Sequence, residues 1–182
     1  IGAPAELKNE TAIPRQKRRS MGKMSIFAVQ AAEQAISEAG LSLPDITSGR
    51  TGCIIGSTMG GVEATNGIFE ILIPTKDLTQ LSSMSFFKCM SHTAAMNVAQ
   101  CLGITGYVLA TSAACASALQ ALGIGFELIR SVRQDVLLCG VAEELHPIVT
   151  ATFDILFATS TNYNTEPHLS PRPFDEKRDG LV

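Results

Sequence analysis

The sequence of 182 residues contains no Cys-x-x-Cys pair, no long apolar run and little charge of either sign. Its five cysteines are scattered singly through apolar segments, as is typical of reduced thiols in a cytosolic protein rather than of a disulfide framework or a zinc site. No apolar run approaches the roughly 20 residues of a membrane-spanning helix, and no signal-peptide pattern opens the chain. We therefore expect a cytoplasmic protein with no metal site and no membrane contact.

The composition also argues against nucleic-acid and nucleotide ligands. Charged residues make up 17% of the chain and the formal net charge is -3, which disfavours a nucleic-acid partner. The run Gly56-Ser57-Thr58-Met59-Gly60-Gly61 follows an apolar segment but lacks the spacing of a phosphate-binding loop or a dinucleotide fingerprint. We expect no cofactor. A hydrophobic content of 46% is enough for one domain with a large core.

Short apolar segments alternate with segments of helical periodicity along the chain. This alternation predicts the α/β class, with a mainly parallel sheet covered by helices on both faces. The segment 75–85 is polar and is predicted to be irregular. The predicted strands cover residues 51–57, 107–110 and 135–139, and the predicted helices cover residues 24–39, 62–71, 92–102 and 115–130.

Cys115 lies where an apolar strand, residues 107–110, runs into a long apolar helix. The helix is apolar on most faces, so we expect it to be buried. The positive end of a helix favours the thiolate form of a nearby cysteine, which is the nucleophilic form. A free cysteine is also a common small core residue. These residues alone leave both interpretations open.

A longer pattern surrounds this cysteine. Gly106, followed at a fixed distance by Ala114-Cys115 and three small residues, resembles the active-site motif of the β-ketoacyl-acyl-carrier-protein synthases, the condensing enzymes of fatty acid and polyketide assembly. The run 135–144, with its Gly-x-Ala-Glu turn, and the run 170–180, with Arg-Pro-Phe-Asp and Arg-Asp-Gly, are similar to later motifs of that family. Together with residues 56–61, these motifs cover most of the chain.

The resemblance implies a thiolase-like layered α/β/α half-domain with a mainly parallel mixed sheet and a buried nucleophile helix. Residues 1–182 would be the incomplete N-terminal domain. Cys115 would accept an acyl chain from an acyl carrier protein as a thioester, with its own backbone N–H as an oxyanion donor. A malonyl thioester would then lose CO₂ and attack the acyl group in a decarboxylative Claisen condensation. The family's two histidines and lysine would lie beyond residue 182, so we expect this fragment alone to be inactive in condensation.

The resemblance also assigns binding roles. Met59, and with weaker support Phe153, would line the acyl pocket, although a methionine also commonly fills a gap in a core. The basic residues Lys17, Arg18 and Arg19 would attract the acidic carrier protein, and a solvated basic loop is the alternative. Charged residues of the run 170–180 are expected to hold a loop. The histidines 92, 146 and 168 do not match the catalytic ones.

Two other classes of function remain as alternatives. A thiolase-like enzyme acting on acyl-coenzyme A is disfavoured by the motifs in 135–144 and 170–180. A non-catalytic partner subunit of the chain-length-factor type is disfavoured by Cys115, because such subunits usually lack the cysteine. We expect a homodimer, or a heterodimer with a related subunit, paired through the strand 107–110. The acyl chain length and the pathway stay open.

Overall fold

The computed structural model describes residues 1–7 and 9–182, which form two compact units. The larger unit is Leu7–Glu144, and the smaller unit combines Ile1–Glu6 with Leu145–Val182. The predicted domain boundary, residues 1–182, stays a prediction.

The larger unit contains seven α-helices and three strands among the described residues. Short 3₁₀ turns lie at Glu10–Ala12 and Leu78–Gln80. The elements in chain order are α1 (Arg15–Arg18), α2 (Lys23–Glu38), α3 (Leu43–Thr47), β1 (Thr51–Gly56), α4 (Val62–Thr75), α5 (Ser83–Cys89), α6 (Thr93–Leu102), β2 (Val108–Leu109), α7 (Ser117–Arg130) and β3 (Val136–Val141).

The three strands form a parallel sheet in the order β2-β1-β3. All six residues of β1 are buried, as is usual for a central strand of a parallel sheet. In the register, Cys53 lies opposite Val108 on one side and Leu138 on the other. The predicted α/β class and the parallel pairing are confirmed.

One face of the sheet is covered by α2 and α6. Side chains alternate across β1, so Cys53 and Ile55 point to this face and Ile54 points to the other. Met24 and Val29 of α2 are fully buried here. Alanines on both helices allow close packing, which follows from the small volume of their side chains. The main hydrophobic core therefore lies on this face.

The other face of the sheet is covered by α7. Ala121 and Leu128 pack against Ile54, and a Cβ added at Gly125 would lie 2.6 Å from the Cys139 Sγ, so this glycine permits close contact between helix and sheet. The prediction that this helix is buried on most faces is wrong for the described chain, because its outer face is exposed. The exposed apolar residues of this outer face are Leu119, Leu122, Phe126 and Ile129.

Other elements also differ from their predictions. The predicted buried strand at 107–110 is a two-residue edge strand, β2, and both residues are exposed. A helix, α5, begins inside the segment predicted to be irregular, because the Ser82 side chain accepts a hydrogen bond from the Met84 N–H and caps it. The helix α7 begins at Ser117, two residues later than predicted.

The smaller unit contains α8 (Pro147–Ile155), a 3₁₀ turn at Pro167–Leu169 and a loop held by acidic side chains. The Asp179 carboxylate accepts hydrogen bonds from the Asn162 and Thr161 N–H groups, at 2.8 and 2.9 Å, and these bonds lower its pKa. Arg172 pairs with Asp175 at 3.0 Å and lowers the pKa of that carboxyl group. These contacts agree with the expected structural role of the 170–180 run.

None of the helices in the described part of the chain combines the length and the apolar character that a membrane crossing requires.

Candidate active site

Cys115 lies in a tight turn immediately before α7, and its side chain is exposed. Two backbone hydrogen bonds close the turn, from the Ala116 N–H to the Ala113 oxygen and from the Ser117 N–H to the Ala114 oxygen, both at 3.0 Å. Ala114 has a φ of 48°, in the left-handed region that residues with a Cβ rarely adopt. The turn thus presents Cys115 to solvent on a constrained backbone.

The Ser117 side chain fastens this turn from inside the protein. Its Oγ accepts a hydrogen bond from the Ala113 N–H at 2.8 Å and donates one to the Ala114 oxygen at 2.7 Å. Ser117 is fully buried. The Thr111 Oγ1 donates a hydrogen bond to the Ser117 oxygen at 3.1 Å, which ties the first residue of α7 to the segment that follows β2.

The other cysteines lie in different environments. Burial raises the pKa of the Cys53 thiol to about 12, and burial also raises the pKa values of Cys101 and Cys139. The Cys89 Sγ donates a weak hydrogen bond to a backbone oxygen and is half-buried. Cys115 is the only one of the five described cysteines that is exposed, so it is the most accessible to an electrophile in solution.

Met59 lies in the loop Ser57–Gly61, between β1 and α4, and its side chain is 40% exposed. The Ser57 Oγ accepts a hydrogen bond from the Gly60 N–H at 3.0 Å. Added Cβ atoms at Gly60 and Gly61 would lie only 2.3 and 2.0 Å from backbone oxygens of α5, so the loop needs glycine at both positions. The acyl-pocket role of Met59 stays a prediction.

Two consecutive carboxylates, Glu143 and Glu144, were not singled out from the sequence for a structural role, and Glu143 holds this loop. Glu143 accepts hydrogen bonds from the Thr58 N–H and, at 3.3 Å, from the Ser57 Oγ. The loop that carries Met59 is therefore attached to the residues that follow β3.

Glu144 is buried and caps two helices at once. Its Oε1 accepts a hydrogen bond from the Met24 N–H in the first turn of α2, and its Oε2 accepts one from the Glu63 N–H in the first turn of α4, both at 3.0 Å. The residues before these helices are Gly22 and Gly61, and glycine has no side chain with which to cap a helix. A glycine before each of two helices, together with a carboxylate after a strand, is the sequence pattern from which this double cap could have been predicted.

The predicted carrier-protein residues lie on and after α1. The Lys17 Nζ donates a hydrogen bond to the Cys101 oxygen at 2.5 Å, and Arg18 forms an ion pair with Glu10 at 3.0 Å. Arg19 is exposed. Lys17 and Arg18 thus have contacts within the chain, and docking by these three residues stays a prediction.

The remaining candidate residues lie at helix ends or in the smaller unit. Phe153 is a half-buried residue of α8, and its acyl-pocket role stays a prediction. His92 lies at the start of α6 and His146 caps α8, its Nδ1 accepting a hydrogen bond from the Ile148 N–H at 3.2 Å. Within residues 1–7 and 9–182, no group of three or more His, Cys, Asp or Glu side chains could hold a metal ion.

The model of the family "Beta-ketoacyl synthase, N-terminal domain" matches residues 8–182. The chain belongs to this family. It is 34% identical over 171 residues to a 3-oxoacyl-(acyl-carrier-protein) synthase 1 of Buchnera aphidicola, and the match covers 93% of this chain and 42% of that protein. The recognition made from the sequence motifs is thereby confirmed.

Solved structures show the same relationship for the fold. A β-ketoacyl synthase from Burkholderia phymatum has a TM-score of 0.85 and 43% identity, covering 100% of this chain and 43% of its own. A type II polyketide ketosynthase, solved in complex with its acyl-carrier protein and bound to a hexaketide, has a TM-score of 0.79 and 31% identity, covering 88% of this chain and 40% of its own. The thiolase-like fold is confirmed. The chain spans less than half the length of these proteins.

Proposed function

We propose that this chain is the nucleophile-bearing part of an acyl-carrier-protein-dependent condensing enzyme of fatty acid or polyketide synthesis. The observation that carries the proposal is the position of Cys115, an exposed thiol on a constrained turn before α7 in a chain of the β-ketoacyl synthase family. Exposure supports attack by this thiol on a thioester, and burial disfavours it for Cys53, Cys101 and Cys139.

The proposed chemistry begins with acyl transfer. The Cys115 thiolate attacks the carbonyl carbon of an acyl-carrier thioester, a tetrahedral intermediate forms, and the carrier's thiol leaves after taking up a proton. The Cys115 backbone N–H donates to the oxyanion. A malonyl thioester then loses CO₂, and its carbanion attacks the acyl carbon and releases Cys115 as the thiolate. By resemblance, the histidines and the lysine that assist this second step lie beyond residue 182.

The proposed acyl donor is an acyl carrier protein. The related polyketide ketosynthase was solved with its acyl-carrier protein, and the basic residues at 17–19 give this chain a local positive surface that suits an acidic partner. Arg19 is the best placed of the three, since Lys17 and Arg18 have contacts within the chain. Met59 and Phe153 are proposed to line the acyl pocket.

The proposed quaternary structure is a dimer formed through β2. This strand lies at the edge of the sheet, and Val108 and Leu109 are exposed and apolar, which is unusual for an unprotected edge. Changing Val108 to Lys should weaken association, measured by sedimentation velocity. Changing exposed Leu43 to Lys is the control, because it adds the same charge at an exposed apolar residue of α3 and leaves β2 unchanged. A monomeric wild-type chain would contradict the proposal.

Acyl transfer tests the central proposal. The chain is incubated with a medium-chain acyl-carrier protein, and peptides are mapped by mass spectrometry for an acyl group on Cys115. The acylated peptide should disappear in Cys115→Ser and persist in Cys89→Ser. With ¹⁴C-malonyl carrier protein added, residues 1–182 alone should release no ketoacyl product. Failure of the wild type to become acylated would favour the non-catalytic partner subunit instead.

A further inference from the structure

We propose that Ser117 is a positioning residue that orients the backbone N–H of Cys115 toward the reacting thioester oxygen. The inference rests on the proposed role of Cys115 as the nucleophile. Ser117 itself is buried and would not touch the substrate. Its effect would pass through the peptide group between Ala114 and Cys115.

That peptide group is held at its carbonyl end. The Ala114 oxygen accepts two hydrogen bonds from Ser117, one from the Oγ at 2.7 Å and one from the backbone N–H at 3.0 Å. A trans peptide is planar, so its C=O and its N–H point in opposite directions. Fixing the Ala114 oxygen on the Ser117 side therefore directs the Cys115 N–H to the opposite side. Donation to the oxygen also polarises the peptide and strengthens its N–H as a donor.

The same hydroxyl group holds the strained residue of the turn. The Ser117 Oγ accepts a hydrogen bond from the Ala113 N–H at 2.8 Å, so its two bonds reach the Ser112–Ala113 peptide group and the Ala114–Cys115 peptide group, which lie before and after the Ala113–Ala114 peptide. Ala114 has a φ of 48°, and a non-glycine residue persists there only when its surroundings hold it. Loss of the hydroxyl would let Ala114 relax and would turn the Cys115 peptide.

The surroundings of the Ser117 hydroxyl exclude water and restrict its position. Ser117 has no exposed surface, and the Thr111 Oγ1 bonds its backbone oxygen at 3.1 Å. A Cβ at Gly56 would lie only 3.0 Å from the Ser117 Cβ, so the glycine of β1 makes the space that this side chain occupies. Water cannot easily replace the hydroxyl at such a site.

Two reactions of the Cys115 thiol distinguish a loss of N–H positioning from a general disturbance of the local structure. Alkylation by iodoacetamide needs the thiolate and access but no oxyanion donor, whereas acyl transfer from a thioester needs the donor as well. Ser117→Ala should slow acylation of Cys115 by about 10-fold to 100-fold, less than the 10²-fold to 10³-fold typical of a donor removed outright. Alkylation should change by no more than about threefold, because it needs no such donor. The loss should fall on the rate constant at saturating acyl-carrier protein rather than on KM.

Matched variants complete the test. Ser25→Ala removes another fully buried serine hydroxyl, which accepts a hydrogen bond from the Asn97 side chain on the other face of the sheet; it should leave both rates unchanged. Ser117→Thr keeps the hydroxyl and should recover much of the acylation rate. If Ser117→Ala does not fold, Thr111→Val removes the supporting bond and should show the same selective loss at a smaller size.

The outcomes are distinct. An equal loss of acylation and alkylation in Ser117→Ala, or no loss of acylation, would overturn the positioning role while leaving the nucleophile in place. In Thr111→Val, an unchanged ratio of the two rates would overturn it as well. A wild-type chain that is alkylated at Cys115 but never acylated would overturn the proposed function, and the positioning role with it.

Discussion

The two faces of the sheet differ in how completely this chain covers them. On one face, α2 and α6 bury a large apolar cluster around Cys53 and Ile55. On the other face, α7 contributes the buried residues Ala121 and Leu128, with partly buried Ile124, to a small cluster with Ile54. The outer side of α7 stays exposed and apolar, with Leu119 72% exposed.

The well-covered face stabilises the fold, whereas the less covered face carries the candidate nucleophile. Most of the buried apolar surface of the larger unit, and thus most of its stabilisation, lies on the α2 and α6 face. The turn that carries Cys115 belongs to the less covered face. Exposed apolar patches of this kind usually mark interfaces with another protein surface.

The largest expected difference is in the rate of thiol labelling between Cys115 and Cys53. Burial raises the pKa of Cys53 to about 12, against about 8.5 for an exposed cysteine, so at neutral pH its thiolate population is lowered by roughly a thousandfold or more. With limiting iodoacetamide at pH 7.5, peptide mapping should find the label on Cys115 and essentially none on Cys53. Labelling in urea should equalise the two residues. Faster labelling of Cys53 or Cys139 in the folded chain would remove the main support for Cys115 as the nucleophile.

Core truncations should show a similar asymmetry in stability. Met24→Ala empties a fully buried position under α2 and should lower the free energy of unfolding by about 2–5 kcal/mol. Leu122→Ala removes an exposed side chain of α7 and should change it by less than about 0.5 kcal/mol. Urea denaturation measures both. A large loss for Leu122→Ala would mean that the outer side of α7 is covered in solution, for example by a second copy of the chain.

The double cap at Glu144 should contribute less than a core side chain. Glu144→Ala removes both acceptors, the one bonded by the Met24 N–H and the one bonded by the Glu63 N–H, and we expect a loss of about 1–3 kcal/mol. Amide hydrogen exchange should increase at the starts of both α2 and α4. Glu63→Gln is the control, because it breaks only the exposed ion pair with Lys23 and should cost much less. Faster exchange at one helix alone would contradict the double cap.

The smallest effect for a change of one pH unit should come from alkaline pH. The folded state holds the Cys53 proton up to about pH 12, whereas an unfolded cysteine loses its proton near pH 8.5. Between these values the unfolded state binds fewer protons, so stability is full below about pH 8.5 and falls as pH rises, by at most about 1.4 kcal/mol per pH unit. Cys53→Ala should reduce this slope in urea denaturation between pH 8.5 and 10.5. Met24→Ala should lower stability without changing the slope.

The elements with strong local signals were predicted well from the sequence. The helix predicted at 24–39 is observed as α2, and Gly40 after it has a φ of 66°. The strand predicted at 51–57 is observed as β1. In both cases the pattern of apolar residues, together with a glycine, is enough to specify the local structure. The motif around Cys115 also identified the family.

Features that depend on distant partners could not be predicted in the same way. The apolar composition of α7 indicated burial, but composition cannot say whether the partner surface belongs to the same chain. The roles of Glu143 and Glu144 depend on backbone N–H groups that lie 81 to 120 residues earlier in the sequence. In the sequence, Ser117 is one of three small residues after the cysteine, and nothing there indicates that its hydroxyl bonds the turn as the structure shows.

The sequence by itself determined the α/β class, the family and the position of the candidate nucleophile, because periodicity and short motifs are local properties. Only the tertiary structure decided which cysteines are buried, which face of α7 is covered and which hydroxyl holds the Cys115 turn. Burial raises the pKa of a thiol and removes water from a hydrogen bond. Both effects depend on side chains that are distant in sequence and adjacent only in the folded chain.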